Sequence, residues 1–158
     1  GPMFSVADVP IPEDAGHMYG RTALEPPAGR GGSVIVIVAT DAPLLPHQLK
    51  RIARRAGMGL ARMGSYAGNG SGDIFLAFST ANTPAAAGAE INQAQFIGND
   101  HLDGLFEATV QATEEAIVNA MVAARDMGGE DGRYAKAIPH DALVRLLKQY
   151  RRYTPGKR

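Results

Sequence analysis

An uninterrupted apolar run, Ser33-Val-Ile-Val-Ile-Val-Ala-Thr-Asp41, constrains the fold more than any other feature of the sequence. Its central residues are β-branched up to the alanine, and no polar residue alternates with them. This pattern is typical of a strand that is covered on both faces. A second run of this kind extends from Asp73 to Thr80. Two such strands need layers of structure around them, so we predict a layered α/β sandwich.

Apolar residues at helical spacing predict helices around these strands. The predicted helices span His47 to Met63, His101 to Met127 and a final segment that opens at Pro139. A short strand is expected around Gln93 to Ile97, and an edge strand over Phe4 to Pro10.

The 158 residues are enough for one domain. Residues 1–3 are predicted to be a tag remnant and a start methionine, because Gly1-Pro2-Met3 resembles a protease scar. Residues 4–32 are rich in Pro and Gly and are expected to form a linker. The main domain is predicted to cover residues 33–158, where the composition becomes strongly apolar.

Composition and charge exclude several classes of function. Lys plus Arg and Asp plus Glu are equal at 16 each, which gives no reason to expect nucleic acid or an anionic membrane as partner. The sequence has no cysteine, so disulfides, thiolate zinc sites and cysteine nucleophiles are excluded. No apolar run reaches the roughly 18 residues that a membrane span needs. No signal peptide is visible, and the sequence does not distinguish a cytoplasmic from a periplasmic location.

The tripeptide Gly31-Gly32-Ser33 places a hydroxyl directly before a buried strand. Glycine tolerates the distorted backbone that would let the Ser33 hydroxyl reach the Gly32 carbonyl. Cleavage of the Gly32–Ser33 bond would leave a free α-amine, which can act as general base for the same hydroxyl because its reference pKa is about 7.7–8.0. From these residues alone, a plain turn before a strand is the favoured interpretation.

A second candidate site is the glycine-dense segment Gly68-Asn-Gly-Ser-Gly-Asp73. Ser71 and Asp73 are two residues apart at the start of a strand, so their side chains point the same way. They could hold and polarise a nucleophile or its amine, and the glycines of the segment would leave room for a substrate to approach the backbone. The alternatives are a loop whose polar side chains cap turns, and a phosphate loop, although no Gly-Lys-Ser/Thr follows.

Two long segments carry a family resemblance. The first, Gly32-Ser-Val-Ile-Val-Ile-Val-Ala-Thr-Asp-Ala-Pro-Leu-Leu-Pro-His-Gln-Leu49, resembles the cleavage region of the self-processing L-aminopeptidase/D-esterase and β-aminopeptidase family. The second, Ala67-Gly-Asn-Gly-Ser-Gly-Asp-Ile-Phe-Leu-Ala-Phe-Ser-Thr-Ala-Asn82, resembles the second signature of that family. The resemblance covers about Phe4 to Thr154.

The resemblance implies a precursor that splits between Gly32 and Ser33, with Ser33 as the new N-terminal nucleophile. It implies that Ser71 is the assisting serine and that Asp73 is the carboxylate, which is Glu in some members. Family members remove N-terminal residues from peptides, amides or esters through an acyl-enzyme, without a metal or another cofactor. Their fold is a four-layer αββα sandwich similar to that of other N-terminal-nucleophile hydrolases, and they typically form homotetramers.

The sequence departs from the family upstream of Ser33. Members have a long N-terminal subunit there, whereas residues 4–32 resemble only the tail of that subunit and lack the family's oxyanion asparagine. We therefore expect only part of the full fold, with open apolar faces and a need for the missing α-subunit portion. Residues 33–158 correspond to the β-subunit.

Two other functions are compatible with the sequence. Acyltransferases of a similar fold use a threonine nucleophile, and a truncated chain could be a non-catalytic assembly module. A metal site is not expected, because His17, His47, His101 and His140 show no ligand spacing.

Overall fold

The computed structural model describes residues 5–6, 9–10, 33–86, 88–129 and 134–155. The chain forms two compact units. We call the described residues within 31–61 and 67–114 the strand unit, and the described residues within 1–30, 62–66 and 115–158 the helical unit. The linker predicted between the two N-terminal strands and Ser33 lies outside the described residues.

The secondary structure largely follows the predicted order. In chain order the strands and α-helices are β1 (Ser5–Val6), β2 (Val9–Pro10), β3 (Ile35–Thr40), α1 (Pro46–Arg62), β4 (Ile74–Ser79), α2 (Asp103–Ala123), β5 (Met127–Gly128), β6 (Tyr134–Ala135) and α3 (His140–Gln149). Short 3₁₀ helices span Thr83–Ala86 and Asn99–His101.

The strand unit is built on a parallel pair of strands, β3 and β4, joined by a connection that contains α1. Their register pairs Ile35 with Ile74 at one end and Thr40 with Ser79 at the other. Parallel strands need such a crossover, because the end of one strand and the start of the next lie on opposite edges of the sheet. The predicted β-α-β order is therefore confirmed in this unit.

One face of this pair is covered by helices. A buried cluster joins the loop before α1, α1 itself and the start of α2, and its members are Leu44, Ile52, Leu102 and Phe106. Val38 of β3 and Ala77 of β4 pack against it. The cluster forms the core of the strand unit.

The opposite face of the pair is exposed. Its large side chains, with exposed fractions between 43% and 69%, are Ile35, Ile37, Ile74, Leu76 and Phe78. We call these five residues and Ala39 the open face. The expectation that both strands are covered on two faces is wrong for the described residues, because their helices lie on one side only. The expectation that a partial fold leaves an apolar face open is confirmed.

The strand expected around Gln93 to Ile97 is also wrong, because this segment is bonded to a helix and a loop. The Ile97 amide donates to the Pro43 carbonyl over 3.1 Å. The Ile97 carbonyl accepts a 2.7 Å hydrogen bond from Nε2 of Gln48, a residue of α1 that is 1% exposed. Gln48 Oε1 also accepts from the Leu45 amide, which satisfies a donor at the start of the helix.

The helical unit has its own small core. Met63, Ile138 and Leu143 are buried together, and four half-buried residues pack against them, namely Ile117, Val118, Met121 and Leu147. Helix α3 begins after Pro139, as predicted.

Two expected boundaries in the helical unit differ from the structure. Helix α2 ends at Ala123 rather than near Met127, and the chain then forms the β5–β6 pair. Asp126 Oδ1 accepts a 2.8 Å hydrogen bond from the Ala137 amide, which fixes the segment after α2 in this course. The expected edge strand over Phe4 to Pro10 is instead two short strands, β1 and β2, paired antiparallel. Within the part of the chain that the structure describes, no helix is both long and apolar enough to cross a bilayer.

Candidate active site

The site is built where β3 and β4 begin. Parallel strands start at the same edge of a sheet, so residues just before each strand become neighbours. Extending the register from Ile35 and Ile74 places Ser33 opposite Gly72 and Val34 opposite Asp73. The Ile74 amide donates to the Val34 carbonyl over 2.9 Å, so the ladder of hydrogen bonds continues into this region.

The hydroxyl of Ser33 is held from the neighbouring strand. The Gly72 amide donates to Ser33 Oγ over 3.0 Å. Ser33 itself is exposed. Because Oγ accepts this bond, the Ser33 hydroxyl keeps its own proton for donation to another acceptor. A held, solvent-accessible hydroxyl is an arrangement suited to nucleophilic attack once a base is present.

Ser71 and Asp73 form the second part of the site. Ser71 Oγ donates to Asp73 Oδ1 over 2.7 Å, and the Val34 amide donates to the same oxygen over 3.3 Å. Both side chains are half-buried. The carboxylate therefore joins the glycine-dense loop to the residue that follows Ser33, and the structure brings Ser33, Ser71 and Asp73 to one edge of the sheet.

The loop before β4 is shaped by its own backbone. The Ser71 amide donates to the Gly68 carbonyl over 2.8 Å, and Ala67 adopts a positive φ of 48°. The turn-forming interpretation of this loop is therefore compatible with the site, since the same residues close the turn and reach Ser33.

Sequence reasoning missed the role of Gly72. It treated the glycines of this loop as space for a substrate, whereas the Gly72 amide contacts the candidate nucleophile. The signal that could have identified it is the register, because two parallel strands that start near Ser33 and Asp73 place one loop residue directly beside the serine.

The other candidates lie elsewhere. His47 is in the first turn of α1, His101 ends a 3₁₀ helix, and His140 Nε2 lies 2.9 Å from the Val122 carbonyl oxygen. Among the described residues, no group of three or more His, Asp or Glu side chains could hold a metal ion. Gly32 and His17 lie outside the described residues.

Comparison with known proteins gives a consistent result. The model of peptidase family S58 matches residues 3–135. The chain is 47% identical over 148 residues to the β-peptidyl aminopeptidase BapA of Sphingosinicella microcystinivorans, covering 93% of this chain and 37% of that protein. It is 44% identical over 140 residues to the protein of the same name from Sphingosinicella xenopeptidilytica, covering 84% of this chain and 34% of that protein. The chain thus spans just over a third of these relatives.

Solved structures show the same likeness. The L-aminopeptidase D-Ala-esterase/amidase of Ochrobactrum anthropi, described as a variant of the Ntn hydrolase fold, matches with a TM-score of 0.79 and 44% identity over 96% of this chain and 41% of that chain. A β-aminopeptidase of Burkholderia sp. matches with a TM-score of 0.77 and 40% identity over 97% of this chain and 42% of that chain. The described architecture is part of this α/β fold, as the sequence predicts.

Proposed function

Because this chain belongs to peptidase family S58, we propose that it is the nucleophile-bearing part of a self-cleaving serine aminopeptidase, with Ser33 as the nucleophile. The observation that carries the proposal is the position of Ser33 Oγ, which is exposed at the head of β3 and held by the Gly72 amide at 3.0 Å. Ser71 and Asp73 lie at the same edge of the sheet.

Self-cleavage would begin with attack of Ser33 Oγ on the Gly32 carbonyl carbon. An Oγ–C bond forms, the C–N bond between the two residues breaks, and the leaving nitrogen takes up a proton. Water then hydrolyses the ester. The products are a carboxylate on Gly32, a free hydroxyl on Ser33 and an α-amine on Ser33, whose reference pKa is about 7.7–8.0.

Turnover would use this amine as the general base. It takes the Ser33 hydroxyl proton as Oγ attacks the substrate carbonyl, and the proton then passes to the leaving amine or alcohol. Water hydrolyses the acyl-enzyme. The proposed substrates are peptides, amino-acid amides or esters that lose their N-terminal residue, in line with the names of the relatives.

Ser71 and Asp73 are proposed to fix the start of β3. Asp73 Oδ1 accepts from both the Ser71 hydroxyl and the Val34 amide, so the backbone next to Ser33 has a defined position. We propose that this carboxylate and the Ser71 hydroxyl also orient the α-amine once the bond before Ser33 is cut.

The complete enzyme would need more than this chain. The chain covers 34% to 37% of two relatives, and the family's oxyanion asparagine has no counterpart in it. We propose that the missing α-subunit portion supplies this donor and that the assembled enzyme is a homo-oligomer, a tetramer as in the family. The open face favours one other function, a non-catalytic assembly module, because it presents unpaired apolar surface.

Intact-mass measurement tests the proposal most directly. In the protein that includes the missing α-subunit portion, we expect two species cut before Ser33, whereas Ser33→Ala remains whole. A fluorophosphonate probe should label Ser33 in the cut chain, and chromogenic amino-acid amides then report turnover. Ser65→Ala is the matched control, since Ser65 is also exposed and lies in the loop between α1 and β4.

Cleavage that persists in Ser33→Ala would contradict the role given to Ser33. A chain that stays whole and does not react with the probe would favour the assembly module.

A further inference from the structure

We infer that Gly72 is a second functional residue of this site: its backbone amide holds and activates the nucleophile, and its missing side chain is what makes room for that contact. The inference rests on the proposed function of Ser33. It concerns the Gly72 amide, which donates to Ser33 Oγ over 3.0 Å. The donor therefore touches the atom that would react.

The glycine is needed for space and not for its backbone conformation. A Cβ built on Gly72 would lie 3.2 Å from Ser33 Oγ and 3.9 Å from Ser33 Cβ. The first distance is tighter than most real Cβ contacts, so the hydroxyl would have to move. Among the described glycines, positive φ angles occur at Gly64 and Gly88, not at Gly72. An alanine at position 72 would thus displace the hydroxyl without straining the backbone.

The register explains why this position is so close. Ser33 and Gly72 face each other across the extension of the parallel ladder, two residues before the Ile35–Ile74 pair. Their side-chain positions belong to the same side of the sheet, and neighbouring strands are about 4.8 Å apart. Any side chain at position 72 would therefore lie beside the hydroxyl of Ser33.

The chemical effect follows from the direction of the hydrogen bond. The Gly72 N–H donates and Oγ accepts, so the Ser33 proton remains available to the α-amine. As that proton leaves, negative charge develops on Oγ, and a preorganised N–H donor stabilises it. The contact would thus favour deprotonation as well as orientation of the nucleophile.

The first experiment examines the hydrogen bond by itself. In ¹H–¹⁵N spectra of the whole chain, we expect the Gly72 amide proton to move upfield and to exchange faster with solvent in Ser33→Ala than in the wild type. The Gly104 amide serves as the control resonance, because Gly104 lies in α2 and a Cβ placed on it would have no neighbour within 4 Å. An unchanged Gly72 amide would overturn the inference.

The second experiment examines reactivity in the protein that includes the missing α-subunit portion. We expect Gly72→Ala to slow fluorophosphonate labelling of Ser33 by roughly tenfold or more, since small misplacements of reacting groups carry large rate penalties. Gly72→Val should slow it further. Gly104→Ala should label at the wild-type rate. The melting temperatures of the variants should match that of the wild type. If Gly72 had only a structural role, Gly72→Ala would instead lower the melting temperature.

The outcomes separate this inference from the proposed function. Wild-type labelling with an equal rate in Gly72→Ala would contradict the role of Gly72 alone. A wild type that is never labelled at Ser33 would contradict the proposed function, and the activating role of Gly72 with it.

Discussion

The two faces of the β3–β4 pair both present apolar residues and have opposite environments. On the covered face, Val38 and Ala77 pack against the buried cluster around Ile52 and Phe106. On the open face, Ile35 is 69% exposed and Leu76 is 53% exposed. Successive side chains in a strand point to opposite sides, so each strand contributes equally to both faces. The helices alone create the difference.

This difference shows that an apolar run predicts a strand but does not determine which faces of that strand are buried. Apolar area stabilises a fold only where it is removed from water, at about 25 cal/mol per Å². The covered face is therefore expected to carry the stability of the strand unit. The open face leads into the proposed active site, because Ser33 and Gly72 continue its side of the sheet beyond Ile35 and Ile74.

The largest effect should come from exchanging one phenylalanine for alanine on each face of β4. Phe75→Ala should lower the free energy of unfolding by about 3 kcal/mol, the lower end for a buried phenylalanine, because its ring is only half-buried. Phe78→Ala should cost less than about 1 kcal/mol, since Phe78 is 43% exposed on the open face. Urea denaturation of both variants measures the contrast. Equal losses would show that both faces are buried in solution.

Much of this fold follows from sequence patterns, and the errors have a common cause. The long apolar runs predicted β3 and β4, and helical spacing predicted α1 and α3. The strand around Gln93 to Ile97 is wrong because the Ile97 carbonyl is bound by the Gln48 side chain, 49 positions away along the chain. Local patterns do not contain such long-range contacts, and this is also why they could not say which face of the sheet is covered.

A smaller effect is expected where α1 and α2 pack together behind the covered face. A Cβ on Gly59 would lie 2.6 Å from Thr113 Cβ and 2.8 Å from the Val110 carbonyl oxygen. Gly59→Ala should therefore destabilise the chain by about 2 kcal/mol through overpacking, despite the better helix propensity of alanine. Gly104→Ala in α2 is the control and should be neutral or slightly stabilising. Thermal unfolding compares the two, and a stabilised Gly59→Ala would indicate looser packing than the structure shows.

The site was predicted residue by residue but not in its geometry. Ser33, Ser71 and Asp73 were identified as site residues through the family resemblance of the two long segments that contain them. The Gly72 donor was missed because a backbone amide has no side chain to recognise. Its position depends on the strand register, which pairs residues 39 positions apart. Backbone groups enter an active site through topology, so a sequence reveals them only once the pairing is known.

The smallest effect should come from making the open face polar. Leu76→Thr introduces a β-branched residue suited to a strand, so we expect the free energy of unfolding to change by no more than about 0.5 kcal/mol. Binding of an apolar fluorescent dye should fall, because the exposed apolar surface decreases. Ala77→Thr, one residue along on the covered face, should instead destabilise the chain by about 1 kcal/mol or more, since the added atoms must enter the cluster around Ile52. If Leu76→Thr were the more damaging change, the open face would be buried in solution, and Ser33, which lies on the same side of the sheet, would be less accessible than its position in the structure implies.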